Sequence, residues 1–500
     1  MSIEDTSPIE ELEKIGETVV TLEQVNQQLY WDEQVMMPED GTPARSKQKS
    51  TITSLKHERL ADERTGKLLD ATDTAELSPE ETALVRELRW EHERASRVPD
   101  EVVSELATVT SEAQPIWRNA KENDDFSSFE ESLEQIFDVS KRYADHVEPS
   151  AERIEALFRE TEPHFSFERT EEILAELRDA LVPLIKDIQT SGVEIDQELF
   201  TGSFQENQQY ELARDILDTV GYNWERGRLD TAPHPFAGGT PYDSRITTRF
   251  DESNLLSAIP TTLHEFGHAS YSLGLPEDQF DSPVGLAQHH AVHESQSRFW
   301  ENHICRSRPF WKLVLPLIRD HFDGFNDVTP EDAYKSANKV YEDNPLRVEA
   351  DELTYHMHII LRFEIERALL TDEIEVSDVP SVWSEKLDDY LGIGPQSASE
   401  GPLQDIHWSM GAIVNFQNYT LGSVLAAQLD AAMRDEINEI DEKIANGDFS
   451  EIHDWLTSNV HRHGRFYPTD DLIVEATGEE LTADYFIEYV TQKYSDLYDL

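Results

Sequence analysis

Apolar residues recur at three- and four-residue spacing from Ile9 to Leu29 and again from Thr170 to Ile188, which predicts long amphipathic helices. The charged segment Ser78–Arg97 predicts a solvated amphipathic helix. Gly and Pro are sparse in these stretches and gather most densely in TAPHPFAGGTPY, Thr231–Tyr242. The short β-branched run SRITTRF, Ser244–Phe250, follows and predicts a strand in a small hairpin or sheet. No repeat, low-complexity linker or clear boundary interrupts the pattern. The chain therefore reads as one mainly α domain over residues 1–500, with a small β element near residues 230–250.

Composition changes this picture in one respect. The 500 residues are 38% hydrophobic and include 9 Trp, 16 Tyr and 21 Phe, enough to bury a sizeable core. Yet 102 Asp and Glu face 42 Lys and Arg, a net charge of -60. Such a field disfavours nucleic acid and anionic membranes as partners. The acids are spread along the whole chain and Lys is scarcer than Arg. Molar salt shortens the Debye length to ~3 Å and removes most of the self-repulsion, so the charge points to a halophilic protein of a salt-loaded cytoplasm. A merely acidic mesophilic protein is the alternative. Cys305 is the only cysteine, which excludes an internal disulfide and a Cys-rich metal site. The start, Met1-Ser2-Ile3-Glu4-Asp5, lacks the pattern of a signal peptide, and no stretch approaches 18 apolar residues. A cytoplasmic location is the expectation.

Candidate chemistry centres on His264-Glu265-Phe266-Gly267-His268, whose flanks are compatible with a helix. Histidines four apart lie one turn apart on one helix face and can bind one Zn²⁺. The metal lowers the pKa of a water from about 15.7 to about 7, and Glu265 then suffices as general base. Two histidines capping a helix for structural reasons are the plain alternative. A zinc site needs a third protein ligand. The metzincin extension fails, because Tyr271 and Gly274 stand where its Gly and third His belong. The segment His289–Cys305, HHAVHESQSRFWENHIC, reads as a second helix, and Glu294 on it is the preferred third ligand. His293 is the main rival, pointing about 100° away on that helix; Glu352 is a weaker one.

These residues resemble the M32 metallocarboxypeptidases, the thermostable carboxypeptidase Taq family. HEFGH followed by HESQS is joined by His234-Pro235-Phe236, which matches HPF, and by Asp243-Ser244-Arg245-Ile246-Thr247, which matches D-x-R-x-T. Leu346–Asp351 is similar to I-R-x-x-A-D, and Gly401–Trp408 matches G-x-x-Q-D-x-H-W. Trp31-Asp32 with Met37-Pro38, HRHGRFYP and KYSDLY extend the likeness over nearly the whole chain. The resemblance implies a mostly helical fold with a deep groove like that of neurolysin-type peptidases. It also implies a homodimer and a metal-dependent carboxypeptidase that removes single C-terminal residues with broad preference.

Roles follow from that resemblance together with the chemistry. His264, His268 and Glu294 hold one divalent metal, with Zn²⁺ preferred and Co²⁺ or Mn²⁺ able to occupy a similar site. Glu265 is the general base and returns its proton to the leaving amine. The family pattern places recognition of the free carboxylate on Arg347, whose planar fork suits it. His407 is the first candidate donor to the oxyanion and Tyr419 the second. Gln404 and Asp405 belong to the substrate-binding set and are expected to orient His407. His234 and Arg245 are expected to line the groove from the β element; a turn and a hairpin salt bridge are their structural alternatives. Where the family reads like G-x-F-G-Y-F-P-T-Y-T-L-G after the Trp, this chain has Asn415 for the Tyr and Gln417 for the Pro. An endo-acting oligopeptidase and an acidic helical binding protein with a vestigial metal site are the competing functions.

Overall fold

A computed structural model of the protein describes residues 7–196, 198–341 and 343–500; the Met1–Asp5 start lies outside them. The structure is 68% helical with one small sheet, as the hydrophobic spacing predicts. It contains two compact units. One gathers the chain up to Ser96 with Asp196–Ala337 and Ala426–Glu480; the other gathers Arg97–Ile195, Asn338–Leu425 and Leu481–Leu500. Each unit is built from three separate stretches, so their limits leave no local mark in composition.

The first unit begins with the helix Pro8–Val35, which contains the predicted Ile9–Leu29 stretch. Ser7 and Glu10 exchange side-chain-to-backbone hydrogen bonds of 3.2 and 3.3 Å, and Pro8 occupies the first turn. Its apolar face buries Leu12 and Val19 against Leu60, Leu69, Leu84 and Leu88. The charged segment forms the helix Pro79–Arg97. The β element is a three-stranded sheet of β1 (Leu229–Thr231), β2 (Ala237–Thr240) and β3 (Asp243–Thr248), ordered β1-β3-β2. β3 pairs parallel to β1 (Ile246 opposite Leu229) and antiparallel to β2 (Ile246 opposite Ala237). The helix Ile259–Gly274 packs on β2 and β3 and against the helix His290–Arg298. Gly267 permits that second contact: a Cβ there would stand 2.4 Å from Gln296 O.

The expected helix over 289–305 is α-helical only to Arg298; Phe299–Cys305 is a π-helix, in which Arg306 N–H reaches Glu301 O at 3.1 Å. The wider turn re-aims the side chains that follow, a common device at functional sites.

In the second unit the predicted Thr170–Ile188 stretch lies in the helix Phe167–Thr190, which buries Ile173, Leu177 and Leu181. The helix Tyr355–Leu370 is buried almost all round, with Met357, Ile359, Ile360, Leu361 and Ile365 at 1% exposure or less. His358, Arg362 and Glu366, spaced by four, form a polar stripe along it, each at most 1% exposed. Among the described residues, no helix is long and apolar enough to cross a membrane.

Candidate active site

His264 and His268 stand one turn apart on the Ile259–Gly274 helix, with ring centroids 5.0 Å apart. Glu294 comes from the neighbouring helix. Its Oε2 lies 3.9 Å from His264 Nε2 and 3.6 Å from His268 Nε2. The other ring nitrogens are engaged. His264 Nδ1 is 2.9 Å from Glu301 Oε2, and His268 Nδ1 is 2.6 Å from His293 Nδ1. Both Nε2 atoms are thereby left for whatever Glu294 also faces.

Glu301 was not singled out by the sequence pattern. It lies seven residues after Glu294, two turns of a regular helix, which is the one signal that could have pointed to it. It accepts hydrogen bonds from Arg298 (3.1 Å) and Arg306 (3.4 Å) besides His264. Burial opposes its charge, but Arg298 and His264 outweigh it and hold the carboxyl below the usual range. The rival ligands are placed elsewhere. His293 faces the outer nitrogen of His268, and Glu352, in the second unit, is engaged by Lys493 with Tyr489 (2.8 Å) and Tyr494 (3.1 Å).

The donor set fits a divalent metal. One ligand atom from each of His264, His268 and Glu294 lies within 4.8 Å of the others. Two ligands of one tetrahedral ion at ~2.1 Å stand about 3.4 Å apart, close to the separations here. Two imidazoles and a carboxylate suit Zn²⁺ and its neighbours. Glu265 supports the fit, because its Oε2 is buried without a hydrogen-bond partner. Burial pushes the Glu265 carboxyl up to about 7, opposed by His264 and reinforced by Glu294 and Glu301.

Within the second unit, Arg347 opens a short 3₁₀ turn, Arg347–Glu349. Its Nε and Nη2 meet Asp405 Oδ1 at 3.1 and 2.8 Å, and its Nη1 donates to Tyr355 OH at 3.1 Å. Asp405 also takes two bonds from Arg362, from Nε at 2.9 Å and Nη2 at 2.6 Å. Burial opposes the Asp405 charge, yet Arg362 and Arg347 hold it well below the ordinary carboxylate range. Gln404 Oε1 accepts from Arg347 N–H (2.8 Å), while its Nε2 donates to Pro345 O and Glu400 O. The sequence expectation that Gln404 and Asp405 orient His407 is thus corrected: both hold Arg347, and neither hydrogen-bonds His407. The anionic and amide oxygens go to the nearby cation and N–H, which a motif string does not rank.

His407 lies 4.4 Å from Phe416, ring to ring, with Nδ1 buried and unbonded; burial lowers its pKa to about 4, so the ring is neutral near pH 7. Tyr419 stands 6.5 Å from it, centroid to centroid. In the first unit His234 is exposed in the β1–β2 connection. Arg245 on β3 pairs with Asp243 at 2.6 and 2.8 Å and stands 5.6 Å from the Trp31 ring. The departing loop is strained. Val414, where the family pattern has Gly, has φ 56°. Its N–H meets Glu366 Oε2 (3.1 Å) and its carbonyl accepts from Gln417 Nε2 (2.8 Å), a bond that Pro at 417 cannot donate.

Comparison with known proteins agrees with this architecture. The model of the carboxypeptidase Taq (M32) metallopeptidase family matches residues 11–494. Carboxypeptidase 1 of Bacillus subtilis (strain 168) is 36% identical over 476 residues, 94% of each chain. An M32 carboxypeptidase from Deinococcus radiodurans R1 superposes with a TM-score of 0.94 at 35% identity, covering 99% of this chain and 100% of that one. A Pyrococcus furiosus carboxypeptidase superposes with a TM-score of 0.95 at 34% identity, with the same coverage. The chain belongs to the carboxypeptidase Taq (M32) metallopeptidase family and is a metal-dependent carboxypeptidase.

Proposed function

We propose that this enzyme hydrolyses the C-terminal peptide bond of peptides and releases single amino acids with broad side-chain preference, and that residues 1–500 act as one peptidase domain. The observation that carries the reading is the convergence of His264, His268 and Glu294 beside the unpartnered Glu265 Oε2. His264, His268 and Glu294 hold one divalent metal, Zn²⁺ before Co²⁺ or Mn²⁺. The metal, when bound, supplies Lewis acidity that polarises the peptide carbonyl and acidifies water. Glu265 Oε2 takes a proton from the attacking water and returns it to the leaving nitrogen, as suits a carboxyl whose pKa stands near neutrality.

Arg347 grips the free carboxylate. Three of its five N–H groups are engaged by Asp405 and Tyr355. One N–H on each terminal nitrogen remains for the carboxylate, which an Arg takes bidentately. His407, and after it Tyr419, donates to the oxyanion. His234 and Arg245 contact substrate from the β element. The acidic composition supports a halophilic enzyme of a salt-loaded cytoplasm, and family membership supports a homodimer.

The test is a peptide digest followed by mass spectrometry in molar salt, coupled to metal analysis of the purified protein. A ladder shortened one residue at a time from the C-terminus is the expected result. Internal cuts assign the protein to the endopeptidases, and bound metal without hydrolysis assigns it to the binding proteins.

A further inference from the structure

Arg347 and Asp405 alone sum to zero charge, a poor receptor for an anion. Arg362 alters that balance. It is 1% exposed, its fork is turned onto Asp405 Oδ2, and its remaining terminal nitrogen donates to His358 O at 2.6 Å. Trp383 covers it, with the ring centre 4.5 Å from the guanidinium carbon. Three of its N–H groups are thereby engaged within the protein, and its burial keeps it from solvent, so its influence acts through Asp405.

We propose that Arg362 is a positioning residue for carboxylate recognition: sharing Asp405 with Arg347, it leaves the cluster a net charge of +1 and leaves one N–H on each terminal nitrogen of Arg347 for the substrate. This inference rests on the assignment of Arg347 to the C-terminal carboxylate. The neighbouring groups do not upset the balance. His358, on the same helix, has both ring nitrogens unbonded, and burial lowers its pKa to about 3. His407 is neutral for the same reason. Glu366, one turn beyond Arg362, has its carboxyl pushed up to about 8 by burial. Tyr355 and Tyr419 have ring centres 5.8 and 5.9 Å from the Arg347 guanidinium carbon. Two guanidiniums and one carboxylate are the charges that count near pH 7.

The experiment measures kcat and KM for a blocked dipeptide with a free carboxylate and for its C-terminal amide, in R347M, R362M and the double variant R362M/D405N. Removing one unit charge from a partly buried site is expected to raise KM for the free acid in R362M by roughly 10–100-fold, with kcat within about threefold and KM for the amide unmoved. R362M/D405N returns the cluster to +1 on Arg347, whose Nε and Nη2 an amide oxygen at position 405 can still accept, and thermal melts of every variant check that each one folds. Its KM for the free acid is expected to return to within about fivefold of the unmodified enzyme. A double variant that folds but binds the free acid as poorly as R347M overturns the proposal, as does an R362M variant with unchanged KM. An R347M variant that keeps its free-acid preference overturns the reading of Arg347 itself, a result distinct from either.

Discussion

Glu301→Gln isolates the outer support of the candidate metal site. The substitution conserves volume and removes the carboxylate that meets His264 Nδ1 at 2.9 Å. It strands neither neighbouring guanidinium: Arg298 keeps Glu294 Oε1 at 2.7 Å, and Arg306 keeps Ala337 O at 2.7 Å. The loss therefore concentrates on the basicity and orientation of His264. Removing such an outer partner typically costs 10–100-fold in metal affinity, about 1.4–2.7 kcal/mol. A metal that binds only the folded chain stabilises by RT ln(1 + [L]/Kd), so the metal-dependent part of the unfolding free energy should shrink by that same about 1.4–2.7 kcal/mol at a fixed saturating concentration. Chelator-competition titration with Zn²⁺ measures the affinity, and melts with and without metal measure the stabilisation. A folded E301Q protein with unchanged affinity refutes the reasoning, because Glu301 would then be only one more member of an ion-pair network.

Glu265→Gln should leave metal content unchanged and lower kcat by about 10²–10⁴-fold; metal analysis beside a peptide assay checks both, and retained turnover contradicts the base assignment. Glu366 predicts a pH dependence of stability. The folded chain keeps this carboxyl protonated up to about 8, whereas the unfolded chain releases the proton near 4.5, so the contribution is complete below 4.5 and is lost as pH rises through about 8. The difference in urea midpoint between the unmodified protein and E366Q should therefore change between about pH 5 and about pH 9, and a constant difference would exclude this role. With -60 net charge, the melting temperature should rise from about 0.1 M to about 3 M salt; equal melts at the two ends count against halophilic adaptation.

Much of the architecture was legible along the chain because it is local. Three- and four-residue spacing marked the helices Pro8–Val35 and Phe167–Thr190, and the β-branched run after TAPHPFAGGTPY marked β3. The HExxH pair was legible for the same reason, since one turn of helix sets its own geometry. Even Gly267 inside that motif has a local reading as a small residue, but only packing explains it, through the closeness of Gln296 O.

What the chain order did not reveal depends on charges that meet across many residues. Glu301 reaches His264 across 37 positions, from a π-helix that the residue spacing does not announce. Arg362 reaches Asp405 across 43 positions, and no motif distinguishes it from the other 27 of the 28 arginines. Gln404 and Asp405 stand close to His407 in the chain yet hydrogen-bond Arg347, because adjacency in sequence is not adjacency of hydrogen-bonding atoms. Residue types and helical period specify which chemistry is available. The balance of charge, and which nitrogen of each histidine is free, arise only when the helices are packed and buried groups must find partners or lose their charge.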